Sequence, residues 1–419
     1  MEIFEEAYIG PVRLKNRIIR SATFEGAADA NGFPTEAYFH LYKELAAHDV
    51  AAVISGFTYI TRNGKAMHPG QAGCDSHEKL DSFRRLTDML HRYDCKAFLQ
   101  IAHTGRQTLS SVTGCPVVGV SAQKSAYFKE KPDVLNIPEA HGLIDSFGKA
   151  AQLAQQAGFD GIQLHAAHGY LIHQFLHPAI NNRTDEFKLN PGTGIGTFFL
   201  QKIIENIHEE CGNSFPILVK VSASDDYKKH FTLTQFLHLI DFLDLMKVSA
   251  IEISYGTMDA AFNIFRGDFP GERILAENYF YKQKSPLSKW IMGNLIFPSV
   301  KKKFIELQPM YNLPFAVEAR AATRIPIIVV GGFKRGEEIR HAIHDCQIDF
   351  VSMSRPFIAE PDLVTKLKKN PQYESICQSC NQCAVMCDSQ HPTRCYTHGK
   401  HEVTHDSTIP FEQNLIMTQ

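Results

Sequence analysis

A chain of 419 residues, 44% hydrophobic and 21% charged, is long enough for one large α/β domain with an extension. Its formal charge of −2 and the lack of a long basic run argue against a nucleic-acid partner. No apolar run approaches the ~20 residues of a bilayer-spanning helix, and WIMGNLIF at 290–297 is too short, so no membrane partner is expected.

The N-terminus, MEIFEEAYIG, is acidic and lacks a charged-then-apolar leader pattern, which points to the cytoplasm. Eight short β-rich runs follow in chain order: RIIRSAT (17–23), VAAVISG (50–56), AFLQIAH (97–103), GIQLHAA (161–167), ILVKVSA (217–223), AIEISYG (250–256), IPIIVVGG (325–332) and IDFVSMS (348–354). Their near-continuous apolar character suits parallel strands covered on both faces. Amphipathic segments separate them. Before the fourth run, Leu143, Phe147, Ala150, Ala151 and Ala154 mark one helical face, and Gly158 supplies the stop.

Eight strands alternating with helices predict a (β/α)8 TIM barrel. Two connections are too long for a minimal barrel, 104–140 after strand three and 257–316 between strands six and seven. Such inserts are typically lids or small subdomains. The barrel is expected over residues 1–370, with a Cys-rich C-terminal extension over 371–419. Of ten cysteines, Cys377, Cys380, Cys383, Cys387 and Cys395 fall within nineteen residues. Without a secretory leader, that clustering points to metal or redox chemistry before disulfides.

Chemistry in this fold sits at the C-terminal ends of the strands. Those ends carry Ser21 and Thr23; Gly56; Gln100 and His103; His165 and His168; Lys220 and Ser222; Ser254; Gly331 and Gly332; and Ser354 and Arg355. Apart from Glu252, no carboxylate lies within two residues of these ends, which disfavours a hard-cation site and a two-carboxylate glycosidase. VVGGF and SMSRPF occupy the loops after strands seven and eight, the usual phosphate position of the fold. Gly331 and Gly332 would let backbone N–H groups close on a phosphate, and Arg355 adds positive charge. Gln100 offers an amide edge for a pyrimidine-like ring. Lys220, set in ILVKV, would be costly to bury without an anion.

The stretch LHAAHGYLIHQFLHPAINNRTDEF (164–187) concentrates His165, His168, Tyr170, His173 and His177. By spacing alone these residues suit a zinc site using His173 and His177, a substrate-binding pair with a proton donor, or polar filler. Arg183 is expected to fix the following loop through Asp185 or Glu186.

The segments LKNRIIRSAT (14–23), LQIAHTGRQ (99–107), AGFDGIQLHAAHGYLIHQFLHPAINNRTDEF (157–187), KVSASD (220–225), VVGGF (329–333) and SMSRP (352–356) together resemble the Old Yellow Enzyme family of flavin oxidoreductases. The resemblance implies a TIM barrel that binds FMN and passes hydride from NAD(P)H to a small electrophilic substrate such as an activated alkene. It places Ser21, Ala22 and Thr23 beside the flavin ring, with Ala22 where many relatives have proline. Gly56, Gln100 and Lys220 would meet the ring edge, and Gly331, Gly332, Ser354 and Arg355 the phosphate. It makes His165 and His168 the pair that holds the substrate oxygen and Tyr170 the proton donor. No GxGxxG follows a strand, so nicotinamide is expected to bind transiently over the flavin.

CQSCNQCAVMCDSQHPTRC (377–395) resembles the iron–sulfur region of 2,4-dienoyl-CoA reductase relatives, but Ala384 stands where their third cysteine falls. The five cysteines could ligate a [4Fe–4S] cluster or zinc, or nothing. A phosphate-binding lyase without redox chemistry is the competing function, with Lys220 as its only candidate nucleophile. The reading leaves room for a homo-oligomer.

Overall fold

Eight parallel strands stand where the apolar runs predict them: β1 (Ile18–Arg20), β2 (Ala52–Ile54), β3 (Lys96–Ala102), β4 (Gly161–Ala166), β5 (Ile217–Ser222), β6 (Ala250–Ser254), β7 (Ile327–Val330) and β8 (Phe350–Met353). The computed structural model describes residues 1–389 and 391–398; Gln390 and the end of the expected extension, 399–419, lie outside the described residues. The hydrogen-bonded order is β2-β1-β8-β7-β6-β5-β4-β3, and pairing of β2 with β3 closes the ring. The chain is thus a (β/α)8 barrel with long inserts. None of its described helices is long and apolar enough to cross a membrane.

Helices cover the outside of the ring. The helix before β4 runs Ile137–Gln156 and starts earlier than its apolar face suggests, because Asn136 and Glu139 form a capping box there. Leu143, Phe147, Ala150, Ala151 and Ala154 are all buried on its inner face. Gly158 ends it with φ +84°, a left-handed conformation that favours glycine.

Period-two alternation sorts the barrel interior into layers. Phe98, Leu218, Ala250, Ile328 and Phe350 form an apolar lower layer, joined by Ile19 and sealed by Ala7, Ile9 and Leu14 of an N-terminal hairpin. Two residues farther along, the same inward positions become polar: Ser21, Gln100, Lys220, Glu252 and Ser352, all buried.

The inserts and the extension gather above the C-terminal mouth. Residues 104–136 hold a short helix, Ser110–Thr113, and a two-residue parallel ladder joining Val118–Gly119 to Asp133–Val134. Between β6 and β7 lie several short helices, from Ala261–Phe265 to Phe297–Lys301. After the helix Leu363–Lys369 the chain returns over the mouth, where the Thr393 N–H donates to the Glu25 carbonyl at 2.8 Å. The Asn381 amide donates to the Arg266 and Asp268 carbonyls. The Arg183 guanidinium grips Asp185 through both carboxylate oxygens, while Glu186 pairs with His141 instead.

Candidate active site

A cavity opens at the C-terminal end of the barrel. Ala22, Thr23, Gln100, His165, His168, Tyr170, Lys220, Gly331, Gly332, Ser354 and Arg355 all contribute to its wall. Eleven of the thirteen predicted catalytic and flavin-side residues therefore meet in one space. Ser21 and Gly56 do not line it. Both are small residues packed one layer behind, where Ser21 Oγ donates to Glu252 and the Gly56 N–H donates to Glu25 at 2.6 Å.

The floor is a continuous polar network. Gln100 donates to Gln163 at 2.7 Å, and Gln163 donates to Glu252 Oε2 at 2.8 Å. Ser21 and Ser352 each donate to Glu252 Oε1 at 2.7 Å. Lys220 Nζ lies 3.3 Å from Glu252 Oε2 and donates to Ser21 Oγ at 3.0 Å. Lys220 and Glu252 sit directly opposite one another on β5 and β6. The anion that lets Lys220 be buried is therefore supplied by the neighbouring strand, a partner the sequence reading did not assign. Burial acts to raise the Glu252 carboxyl. The Lys220 ammonium and the donors from Ser352, Ser21 and Gln163 outweigh it and hold the group below the ordinary carboxylate range.

Above the floor stands the histidine–tyrosine cluster. His165 closes β4, and its ring centroid lies 5.0 Å from that of His168 and 4.8 Å from that of Tyr170. Phe57 stacks on Tyr170 at 5.3 Å. His168 adopts φ +61°, which swings its ring back over the strand end. There its backbone N–H donates to Ser222 Oγ and its Nε2 lies 2.8 Å from Ser254 Oγ. His165 Nδ1 is buried without a protein partner. Burial, reinforced by the nearby cationic groups, drives both imidazoles well below their ordinary pKa, so they are neutral. Burial likewise pushes the Tyr170 phenol up, and it stays protonated.

The remaining two histidines of the stretch are occupied elsewhere. His177 Nε2 lies 2.7 Å from Asp225 Oδ2, both fully buried, and the His173 Nδ1 accepts from the Gly169 N–H. Among the described residues, no three His, Cys, Asp or Glu side chains close on one point as a single metal ion requires.

At the other end of the cavity, Gly331 (φ +126°) and Gly332 (φ +80°) are backbone requirements as well as open space. A Cβ on Gly331 would come within 2.7 Å of the Tyr311 ring, and one on Gly332 within 2.7 Å of the Gln308 carbonyl. Arg355 reaches the wall with three of its five N–H donors engaged: Nη1 bonds the Arg266 carbonyl and Asn381 Oδ1 at 2.7 Å, and Nη2 the Phe265 carbonyl at 2.5 Å. It brings charge to the cavity while tying insert to extension. Sequence reasoning missed Lys334, which also lines this end.

The roof is built from segments without readable periodicity. Cys387 and Asp388 of the extension line the cavity. Asp388 accepts from Tyr127 of the first insert at 2.6 Å and from Asn278 of the second at 3.4 Å. Burial raises the Asp388 carboxyl to about 6. Cys377, Cys380, Cys383 and Cys395 line a second, smaller cavity, with Cys383 and Arg355 bordering both. Cys387 thus shares the main cavity with Cys383 alone of the other four, and all five are free thiols.

The family model described as NADH:flavin oxidoreductase / NADH oxidase matches residues 2–285. The chain is 29% identical to a 4,4'-dithiodibutanoate disulfide reductase from Rhodococcus erythropolis over 391 residues, 91% of this chain and 92% of that one. It is 28% identical to an NADH oxidase from Thermoanaerobacter brockii over 386 residues, 90% of this chain but 52% of that one. It therefore spans about half the length of that relative. An Old Yellow Enzyme homologue from Zymomonas mobilis shares the fold, with a TM-score of 0.65 at 23% identity, covering 91% of this chain and 96% of the other.

Proposed function

The chain belongs to the NADH:flavin oxidoreductase / NADH oxidase family, the FMN-dependent Old Yellow Enzyme barrels that draw on NADH or NADPH, and on that premise we propose that its acceptor is an activated alkene. FMN, when bound, supplies the hydride it has received from the nicotinamide. Gln100, Lys220, Ala22 and Thr23 would hold its ring and Gly331, Gly332, Ser354 and Arg355 its phosphate. The donor set fits such a group: an amide and an ammonium at one end of the cavity, two positive-φ glycines and two cations at the other.

The observation that carries the acceptor reading is the convergence of His165, His168 and Tyr170 on one cavity wall. Hydride addition to an enone leaves negative charge on the carbonyl oxygen. Neutral imidazole N–H groups stabilise that charge, and one such donor is typically worth ~3 kcal/mol of barrier. A hydrogen bond from Ser254 Oγ to His168 Nε2 would leave the ring hydrogen on Nδ1, fixing the tautomer. Tyr170 holds a proton for the carbon left electron-rich. Lys220 is unsuited to the nucleophilic role a lyase would require, because its ammonium is committed to Glu252 and Ser21.

Stopped-flow measurement of Tyr170→Phe tests the assignment. Reduction by NAD(P)H should be nearly unchanged, while alkene reduction slows ~10²–10⁴-fold, the usual cost of a lost general acid. Equal slowing of both half-reactions, or none, removes Tyr170 from the proton's path.

A second reading concerns the extension. Four cysteines share one cavity. Four thiols so placed, in a segment that resembles the iron–sulfur region of 2,4-dienoyl-CoA reductase relatives, favour a [4Fe–4S] cluster held by Cys377, Cys380, Cys383 and Cys395. Cys383 then takes the part that Ala384 leaves vacant. The cluster would supply one-electron transfer beside the flavin cavity. Iron and acid-labile sulfide in anaerobically purified protein, lost in Cys380→Ser, test it; zinc or no metal refutes it.

A further inference from the structure

From Pro286 to Lys301 the second insert runs as one helix with a π-helical segment, Met292–Ile296, in its middle. It is about 24 Å long. Its inner face is accounted for: Phe297 is buried, and Met292 packs with it against Ile274 and Val385. Its outer face is not. Leu287 (68% exposed), Trp290 (59%), Ile291, Leu295 (64%) and Ile296 stand in solvent. Five of the fourteen large exposed hydrophobics among the described residues thus fall within ten positions of one short helix. Scattered single exposures are ordinary, but a contiguous apolar stripe of this kind marks a surface that is covered in use.

Charge identifies the cover. Residues 278–305 carry six lysines (Lys282, Lys284, Lys289, Lys301, Lys302 and Lys303) and no carboxylate, in a chain whose formal charge is −2. All but Lys289 are exposed, and among the described residues none of the six has a carboxylate within salt-bridge distance. A two-fold contact with a second copy would press twelve like charges together around the stripe. An apolar strip with Trp at its centre and lysines at both ends instead matches a helix lying in the headgroup region of an anionic membrane. We propose that the outer face of residues 282–303 is a peripheral docking surface for an anionic lipid bilayer.

A peripheral contact of this kind departs from the expectation of no membrane partner while needing no spanning helix. That expectation rests on length, and length limits only a helix that spans a bilayer; one that lies on it needs apolar area and positive charge. The surface is also joined to the substrate cavity. Phe280, from the turn of helix just before it, packs with Phe128 and Met67, both of which line the cavity. An acceptor partitioning into lipid would approach the cavity from the side that binds it.

The test uses the flavin-loaded protein and large vesicles of phosphatidylcholine with or without phosphatidylserine. Trp290 is the sole tryptophan of the chain, so its emission reports this face alone. Co-sedimentation and a blue shift of Trp290 are expected only with phosphatidylserine present, and should weaken as salt screens the lysines. Lys301→Glu/Lys302→Glu/Lys303→Glu should lower vesicle affinity roughly 100-fold, on the order of fivefold per lysine. Leu295→Ser should lower it too, and both variants should keep FMN and NAD(P)H oxidation. Absence of vesicle binding, binding that the lysine variant leaves intact, or self-association that buries Trp290 in place of lipid would each overturn the proposal.

Discussion

Glu252→Gln strikes the centre of the barrel's polar floor. The carboxylate is fully buried, accepts from Ser21, Ser352 and Gln163, and lies 3.3 Å from Lys220. Glutamine keeps the shape and one acceptor oxygen, and the two serine hydroxyls can turn to accept from its NH₂. The ammonium of Lys220 has no such recourse and is left buried without its counter-charge. Removing one partner of a buried pair costs ~3–5 kcal/mol, and the hydroxyl rearrangement places this case near ~3 kcal/mol. At ~1.4 kcal/mol per decade, the unfolding constant should rise roughly 100-fold. Urea denaturation at one fixed FMN concentration, followed by circular dichroism, measures the change once each variant's own Kd for FMN is determined and its RT ln(1 + [FMN]/Kd) contribution is subtracted. Lys220→Met in the Glu252→Gln background should recover most of the loss, because no unpaired charge then remains. A single-variant cost below ~1 kcal/mol, or a double variant no better than Glu252→Gln, would refute the view that the pair acts as a unit.

Three further outcomes follow from the same geometry. Gly331→Ala must place a Cβ at φ +126° and 2.7 Å from Tyr311, so it should destabilise the holoprotein by ~1–3 kcal/mol and accelerate FMN loss, read by thermal unfolding and flavin release. Asp225 is acted on first by burial, which raises it, but the His177 contact and the Tyr227 and Phe231 N–H groups more than offset this and lower it below its ordinary 3.8. Its stabilising contribution should be complete above the unfolded value and vanish as pH falls through the lower folded value; Asp225→Asn should flatten that acid limb in pH-dependent denaturation. Phenolic ligands should bind as phenolates to the His165–His168 pair, giving a long-wavelength charge-transfer band that fades in His165→Ala or His168→Ala; unchanged phenol affinity in both would move the pair away from the ligand.

The ring of strands and most of what lines its mouth were legible in the residue pattern alone. Strand periodicity is a backbone property, so once Phe98, Leu218 and Phe350 are inward, Gln100, Lys220 and Ser352 must be inward too. Strand ends therefore announced the cavity residues from His165 to Gly332 without any knowledge of the packing. The rest was set by contacts between segments far apart in the chain. Glu252 stood in the sequence as a lone carboxylate, and its pairing with Lys220 exists because β5 and β6 lie in register. The Arg355 guanidinium, legible as a phosphate contact, is held by carbonyls some 90 residues earlier in the chain. Tyr127, Asn278 and Asp388 meet over the site from three irregular segments. The difference is one of symmetry: a strand repeats every two residues and fixes its own faces, whereas a long loop has no repeat. Where a loop travels is set by the side chains it finds at its destination.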